Sequence, residues 1–213
     1  MPIPVVICVG HDKDKLKHVV NLVHLSGTDI RFAILVIYNG PDKLDGAICV
    51  KNEGWDIGMY HTGFASAKRE DIEFFFFLND DVQFIHRDWL AYAKIKIAEG
   101  YEIIGQANLL SWIDPDKICK RPSKRVRERL RDGTYRKVRF IRTHAFACTW
   151  TYFDRIWRYT LGINKGIIGK GEKGRLTANV FEKSTILKAE SYALFPHPSW
   201  IYDSNTKPYV NNV

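Results

Sequence analysis

The chain is short of cysteine, of acidic residues and of long apolar runs. Its 213 residues include four cysteines, and Cys8, Cys49, Cys119 and Cys148 stand apart with no CxxC pair. That spacing argues against a zinc ribbon or a dithiol redox motif, and a reducing compartment is the simpler setting. Cys8 and Cys49 sit in apolar, strand-like runs and read as small core residues. No segment approaches the roughly 18–20 apolar residues that a membrane-spanning helix needs. Met1-Pro2-Ile3-Pro4-Val5 reaches the polar His11-Asp12-Lys13 too soon for a secretory signal, and no basic segment precedes it. The expected setting is the cytoplasm, with at most peripheral membrane contact. The acid deficit, 24 Asp and Glu against 32 Lys and Arg, leaves a net charge of +8. Acidic partners are therefore favoured: nucleotides, phosphorylated lipids, acidic glycans or nucleic acid. The excess is local, with twelve Lys and Arg between Lys117 and Arg142 against Glu128 and Asp132.

What is present is a folded-protein composition, 46% apolar and 13% aromatic, with an α/β pattern. Val5–Val9 is a β-branched run ending at Gly10, as in a buried parallel strand. Asp12 can cap a helix in which Leu16, Val19, Val20 and Val23 share one face, and Gly27 suits its end. Residues 32–38 form a second strand, stopped by Asn39-Gly40-Pro41-Asp42. A short third strand spans 47–50. The Gly-containing stretch 52–58 then leads into a helix over 59–68. Phe74-Phe75-Phe76-Phe77-Leu78 is aromatic on both faces and predicts a central strand, with a helix capped by Asp88 and a strand at 103–105 to follow. Alternation of this kind implies a sheet that is parallel in its first half. Beyond Trp112 the pattern is irregular: a basic helix over 117–131, a strand or hairpin over 138–151, a helix over 153–161, a flexible loop over 162–174 and a late strand over 185–195. The expected organisation is a nucleotide-binding half, 1–110, and an acceptor and catalytic half, 111–213.

Ligands of open α/β sheets bind beyond the carboxyl ends of the strands. Gly10-His11-Asp12, Tyr38-Asn39-Gly40 and Asn79-Asp80-Asp81 all fall there. Asp80 and Asp81 emerge directly from a buried strand, where two neighbouring carboxylates repel. A hard divalent cation, Mg²⁺ or Mn²⁺, relieves that repulsion and completes its shell with phosphate and water. Asp81 is the expected metal ligand, and Asp80, pointing the other way, suits a ribose hydroxyl.

Tyr38-Asn39-Gly40, then Asn52-Glu53-Gly54 with Gly58, then Phe77-Leu78-Asn79-Asp80-Asp81 form an ordered set over about the first 110 residues. The set resembles the GT-A glycosyltransferases, in particular the large inverting family of small bacterial and viral enzymes. The resemblance implies a GT-A domain, Rossmann-like with a mostly parallel sheet, a nucleotide-diphosphate sugar donor (most often UDP) and Mn²⁺ or Mg²⁺. It places Val9, Gly10 and His11 around uracil and ribose, with Tyr38 beside the base, and counts Asn39 and Asn79 among the residues that bind the donor. An aromatic face at Tyr38 can stack on a pyrimidine. It also implies that Gly58 lets backbone approach the nucleotide, that His61 reaches the diphosphate or sugar, and that His197 is a late metal ligand. Asn79 departs from the family's Asp-x-Asp (DXD) spelling. Length and basic character are also similar to N-terminal glycosyltransferase domains that decorate a chlorovirus major capsid protein. That likeness implies a piece of a longer polypeptide, in the host cytoplasm, acting on a glycan or glycoprotein such as a viral capsid protein.

Inverting transfer needs a carboxylate to take the acceptor proton. Asp154, Glu172, Glu182 and Glu190 are candidates, and Glu172 is preferred because Gly169-Lys170-Gly171-Glu172 resembles the family's Gly-Gly-Glu-Asp segment, with Lys173 in place of its second acid. The expected reaction is transfer of a hexose, glucose- or rhamnose-type, from a UDP-sugar. Rival readings are a nucleic-acid-binding or nuclease domain using the basic stretch, for which no recognition helix is evident, and a sugar nucleotidyltransferase. The latter carries a Gly-rich basic loop after its first strand, and Val9-Gly10-His11-Asp12-Lys13 is poor in glycine.

Overall fold

The computed structural model describes residues 1–26, 28–107, 140–166, 168–196 and 200–203. Gly27, the basic stretch up to residue 139, and His197 therefore lie outside the described residues. Nine strands and five α-helices are described. The strands are β1 (Ile3–Gly10), β2 (Ala33–Tyr38), β3 (Ile48–Cys49), β4 (Ile72–Asn79), β5 (Val82–Ile85), β6 (Ile103–Ala107), β7 (Ile141–Cys148), β8 (Tyr192–Leu194) and β9 (Ile201–Asp203). The helices are α1 (Lys13–Leu25), α2 (Trp55–Ser66), α3 (Trp89–Ala98), α4 (Trp150–Ile163) and α5 (Glu172–Ser184).

Seven strands form one sheet in the order β3-β2-β1-β4-β7-β6-β8, and β5 pairs with β9 in a small second sheet. Strands β3, β2, β1 and β4 are mutually parallel, as expected. β7 runs antiparallel to both β4 and β6, and β8 is parallel to β6. The fold is α/β with a mostly parallel central sheet.

β4 sits in the middle because it is apolar on both faces. Phe74, Phe76 and Leu78 face α1 and α3, packing with Val6, Cys8, Leu16, Val19 and Trp89. Phe75 and Phe77 face α2, α4 and α5, packing with Ile7, Tyr60, Phe146, Phe153 and Phe181. All five of these β4 side chains are fully buried. Asp12 caps α1 as expected, its carboxylate accepting from the amides of Asp14 and Lys15. Asp88 stands at the N-cap of α3 without a side-chain capping bond. No described helix is long and apolar enough to cross a membrane.

Three expectations are corrected. α2 begins at Trp55, ahead of the predicted start at Met59, so Gly58 is helical. Cys49 is exposed, because β3 is only a two-residue edge strand. Residues 185–195 are a strand only at Tyr192–Leu194, and the preceding α5 was not anticipated. The buried face of α5 is Gly174, Thr177, Phe181 and Ser184, a helical spacing with one large apolar side chain, while Leu176 is 58% exposed.

Phe77 touches the rings of Tyr60, Phe75, Phe146 and Phe153. Phe77→Ala is expected to lower stability by about 3–5 kcal/mol. Urea denaturation checks this, and a loss below about 1 kcal/mol would deny β4 its central place.

Candidate active site

The carboxyl ends of β1, β2 and β4 converge on one carboxylate. Asp80 Oδ2 accepts from the amide of His11 at 2.8 Å and from the amide of Asp12 at 2.9 Å. These amides lie at the start of α1, where unpaired N–H groups and the helix dipole favour negative charge. Gly10 makes the approach possible, since a Cβ there would lie 2.6 Å from Asp80 Cβ. Asp80 Oδ1 accepts no bond among the described residues, and the residue is half-buried.

The β2 end lies beside this clamp. The Asn39 amide donates to Gly10 O at 3.1 Å, and His11 Nδ1 lies 3.2 Å from Asn39 O. Asn39 is buried, and its Oδ1 has no partner among the described residues. An orphaned buried acceptor is costly unless a ligand or water donates to it. Val9 is fully buried in the sheet, so what it offers a ligand is backbone. Tyr38 is 2% exposed and belongs to the α1-side core, with its hydroxyl against Gly40. Its ring is the floor of the turn rather than an open face.

From Asp80 the polar line continues to α2. Asn79 Nδ2 donates to Asp56 Oδ2 at 3.2 Å, and Asn79 is buried. An Asp at position 79 would set two carboxylates against each other, forcing one to hold a proton. Asp81, 30% exposed, lies 3.4 Å from Lys15 Nζ and donates its amide to Asn79 Oδ1. Among the described residues no group of three or more His, Cys, Asp or Glu converges as a metal site. Asp80 and Asp81 are carboxylates at this edge whose oxygens suit a hard divalent ion, which needs only one or two of them where other oxygen ligands complete its shell.

Beyond Asp56 the start of α2 is stitched to the glycine loop ahead of α5. The Gly54 amide donates to Gly169 O at 2.8 Å, and Trp55 Nε1 donates to Gly171 O at 3.3 Å. Gly54, Trp55, Gly169 and Gly171 all have positive φ, at 74°, 54°, 70° and 52°. A Cβ on Gly58 would lie 1.8 Å from Glu53 O, so its smallness serves this knot. Glu172, the first residue of α5, is thereby carried to the same edge as Asp56.

The other candidates separate by position. Glu182 is half-buried on α5, near Arg142 and Asp56, and accepts from the Thr143 amide. Asp154 pairs with Arg158 on the surface of α4. Glu190 precedes β8, whose direction puts it at the amino edge, where its amide meets Glu102. The structure does not bring His61 to the β4 end. Its ring stacks on Trp157 of α4 at 4.1 Å, and burial lowers its pKa. Sequence reasoning missed Asp56 and Lys15 as members of this site. The only signal for Asp56 was a lone acid opening a helix after a glycine turn.

No protein-family model matches the sequence, and no curated protein matches it. Solved structures do match by fold. The crystal structure of S. aureus TarS 1-349 superposes with a TM-score of 0.52 at 14% identity, over 94% of this chain and 60% of that one. The same protein in complex with UDP-GlcNAc gives 0.50 at 14%, over 97% and 59%. The 2-C-methyl-D-erythritol 4-phosphate cytidylyltransferase of Thermus thermophilus gives 0.51 at 12%, over 98% and 94%. The chain thus spans about 60% of the TarS 1-349 fragment it matches. Identities this low establish the fold alone, a GT-A-type α/β fold that TarS and the cytidylyltransferase share with this chain.

Burial raises the Asp56 carboxyl above its ordinary range, opposed by the Asn79 bond and reinforced by Asp80 and Asp81. An acid raised in this way binds more protons folded than unfolded. Its favourable contribution is full below the unfolded pKa and is lost as pH climbs through the folded value. Asp56→Asn removes that loss and keeps an acceptor for Asn79. The variant is expected to gain stability over the parent between about pH 4 and pH 7, read by urea denaturation at both values. A difference that stays constant with pH would contradict it.

Proposed function

We propose that the chain is a glycosyltransferase domain that moves a hexose, glucose- or rhamnose-type, from a UDP-sugar to a glycan or glycoprotein acceptor, with inversion. The observation that carries this reading is the capture of Asp80 by the His11 and Asp12 amides. In a nucleotidyltransferase, amides at the start of the first helix are the natural cradle for triphosphate. Here a carboxylate occupies them, and only His11 and Asp12 separate β1 from α1. Sugar transfer is favoured over nucleotidyl transfer on that ground, although proteins of both kinds share this fold. The nucleic-acid reading rested on the basic stretch, most of which lies outside the described residues.

In this mechanism Asn39 Oδ1 accepts the imide N–H of uracil, satisfying the buried orphan. Asp80, fixed through Oδ2, offers Oδ1 to a ribose hydroxyl. Asp81 and Lys15 stand where the diphosphate lies, Lys15 as a cation for the departing charge. Asp81 would hold Mn²⁺ or Mg²⁺, which would supply further neutralisation of the diphosphate charge. Glu172, the first residue of α5, takes the acceptor proton. His197 and His61 are not needed by this scheme. Kinship with chloroviral capsid-decorating domains, with a capsid acceptor and a longer parent polypeptide, rests on length and basic character alone.

A ligand that binds only the native state raises apparent stability. UDP-glucose with Mn²⁺ at a hundredfold its Kd is expected to add about 2.7 kcal/mol, roughly 5–10 °C in Tm for a chain of this size. Asp81→Ala should largely abolish the shift, and CTP should not replace the donor. Equal shifts in parent and variant would remove Asp81 from the metal role, and a shift with CTP alone would favour the nucleotidyltransferase.

A further inference from the structure

The contacts at the carboxyl edge run in one direction. Asn39 touches His11, His11 touches Asp80, its neighbour Asn79 touches Asp56, and next to Asp56 stands Trp55, bonded to Gly171 beside Glu172. The nucleotide end of the proposed reaction is at Asn39. The opposite end finishes at an indole.

Trp55 is unusual in three independent ways. It is 43% exposed, whereas Trp89 and Trp157 are buried and Trp150 and Trp200 are partly buried. Its φ of 54° is a left-handed conformation that a bulky side chain rarely adopts. Such outliers persist where surrounding structure enforces them and cluster at ligand sites. Finally, one edge of the indole is fixed, with Nε1 on Gly171 O and Cδ1 against Gly174. The ring is thus held rigidly by its pyrrole edge while much of it stays open to solvent. Its surroundings are polar: Asp56 follows it, and Glu53 pairs with Lys170 at 3.9 Å. An immobilised aromatic face rimmed by groups that bond hydroxyls suits a ligand with one apolar face and a polar perimeter. A pyranose ring has that form.

We propose that Trp55 is the acceptor platform of the cleft, its open indole face stacking on a pyranose ring of the acceptor so that a hydroxyl is presented between Asp56 and the start of α5. This rests on the reading of the cleft as a sugar-transfer site and adds that the acceptor is itself a carbohydrate at its reacting end.

The test uses the whole chain with isotopically labelled tryptophan indoles, observed by NMR, in the presence of UDP and Mg²⁺. Trp55→Phe assigns the Trp55 resonance by its disappearance. The probes are methyl β-D-glucopyranoside, methyl β-D-galactopyranoside and methyl α-L-rhamnopyranoside. At least one is expected to shift the Trp55 resonance saturably. Measured by isothermal titration, Trp55→Gly should weaken that glycoside by about tenfold or more and leave UDP binding unchanged. Glycine takes a positive φ without strain, so the fold of this variant should survive, as its thermal midpoint will report. If UDP binds and no glycoside moves Trp55, the platform is wrong and the donor reading stands. If UDP moves nothing while a glycoside still moves Trp55, the donor reading falls and the platform stands. A Trp55 shift caused by UDP alone would assign the ring to the nucleotide and overturn the inference.

Discussion

The site depends on one carboxylate taken up by two backbone amides. Asp80 leaves β4 and closes on the first turn of α1, so the two central strands are tied at the edge where ligands of this fold bind. The bond is charge-assisted and backed by a helix start, which places it among the stronger classes of hydrogen bond. Its neighbours inherit their positions from it. Asn79 stays level with Val9 of β1 and turns its amide to Asp56, while Asp81 is left facing Lys15. Three successive residues thus project to three different partners, as a strand running into a tight turn requires.

Acid at this edge is distributed so that few charges meet unshielded. Asp80 has two amides, Asp81 has Lys15, and Asp56 has the Asn79 amide. Glu182 lies near Arg142. Burial still raises Asp56 and Glu182 above the ordinary carboxylate range. Both carboxyls are thus held more readily in the protonated form than exposed ones would be, a condition that burial imposes and that Arg142 and the Asn79 amide oppose.

The first half of the chain was legible because its burial pattern is strong and local. β1, β2 and β4 are nearly continuous apolar runs, Asp12 is a capping residue in the expected place, and the turn at Asn39-Gly40 falls where the glycine and asparagine require. The second half was less legible because its packing uses small and polar residues. Thr177, Ser184 and Thr185 are buried, and Thr185 Oγ1 accepts from the Ile141 amide to join the end of α5 to β7. Such contacts leave no hydrophobic period to read. In the site, Asp80 and Asp81 stood out because they terminate a buried strand. Asp56 did not, since its role comes from Asn79, far away in sequence. The stacking role expected of Tyr38 reflected its aromatic character, whereas the end of β2 is covered on both faces, burying Ile37 on one side and Tyr38 on the other, which the local sequence does not reveal.

The two ends of this line of contacts along the carboxyl edge are prepared by different physical means. At Asn39 the preparation is an unmet hydrogen bond in a rigid, buried turn, which rewards a ligand with one donor in one place. At Trp55 it is backbone strain: left-handed positions in two facing segments, one of them a tryptophan, held by Gly54–Gly169 and Trp55–Gly171 bonds. The first arrangement selects by hydrogen-bond chemistry, and the second presents a fixed surface that tolerates variation in the ring laid against it. The proposed function uses that asymmetry: it assigns donor specificity to the sheet edge and acceptor choice to the loops that carry residues 52–56 and 168–174, which the bonds between Gly54 and Gly169 and between Trp55 and Gly171 hold together.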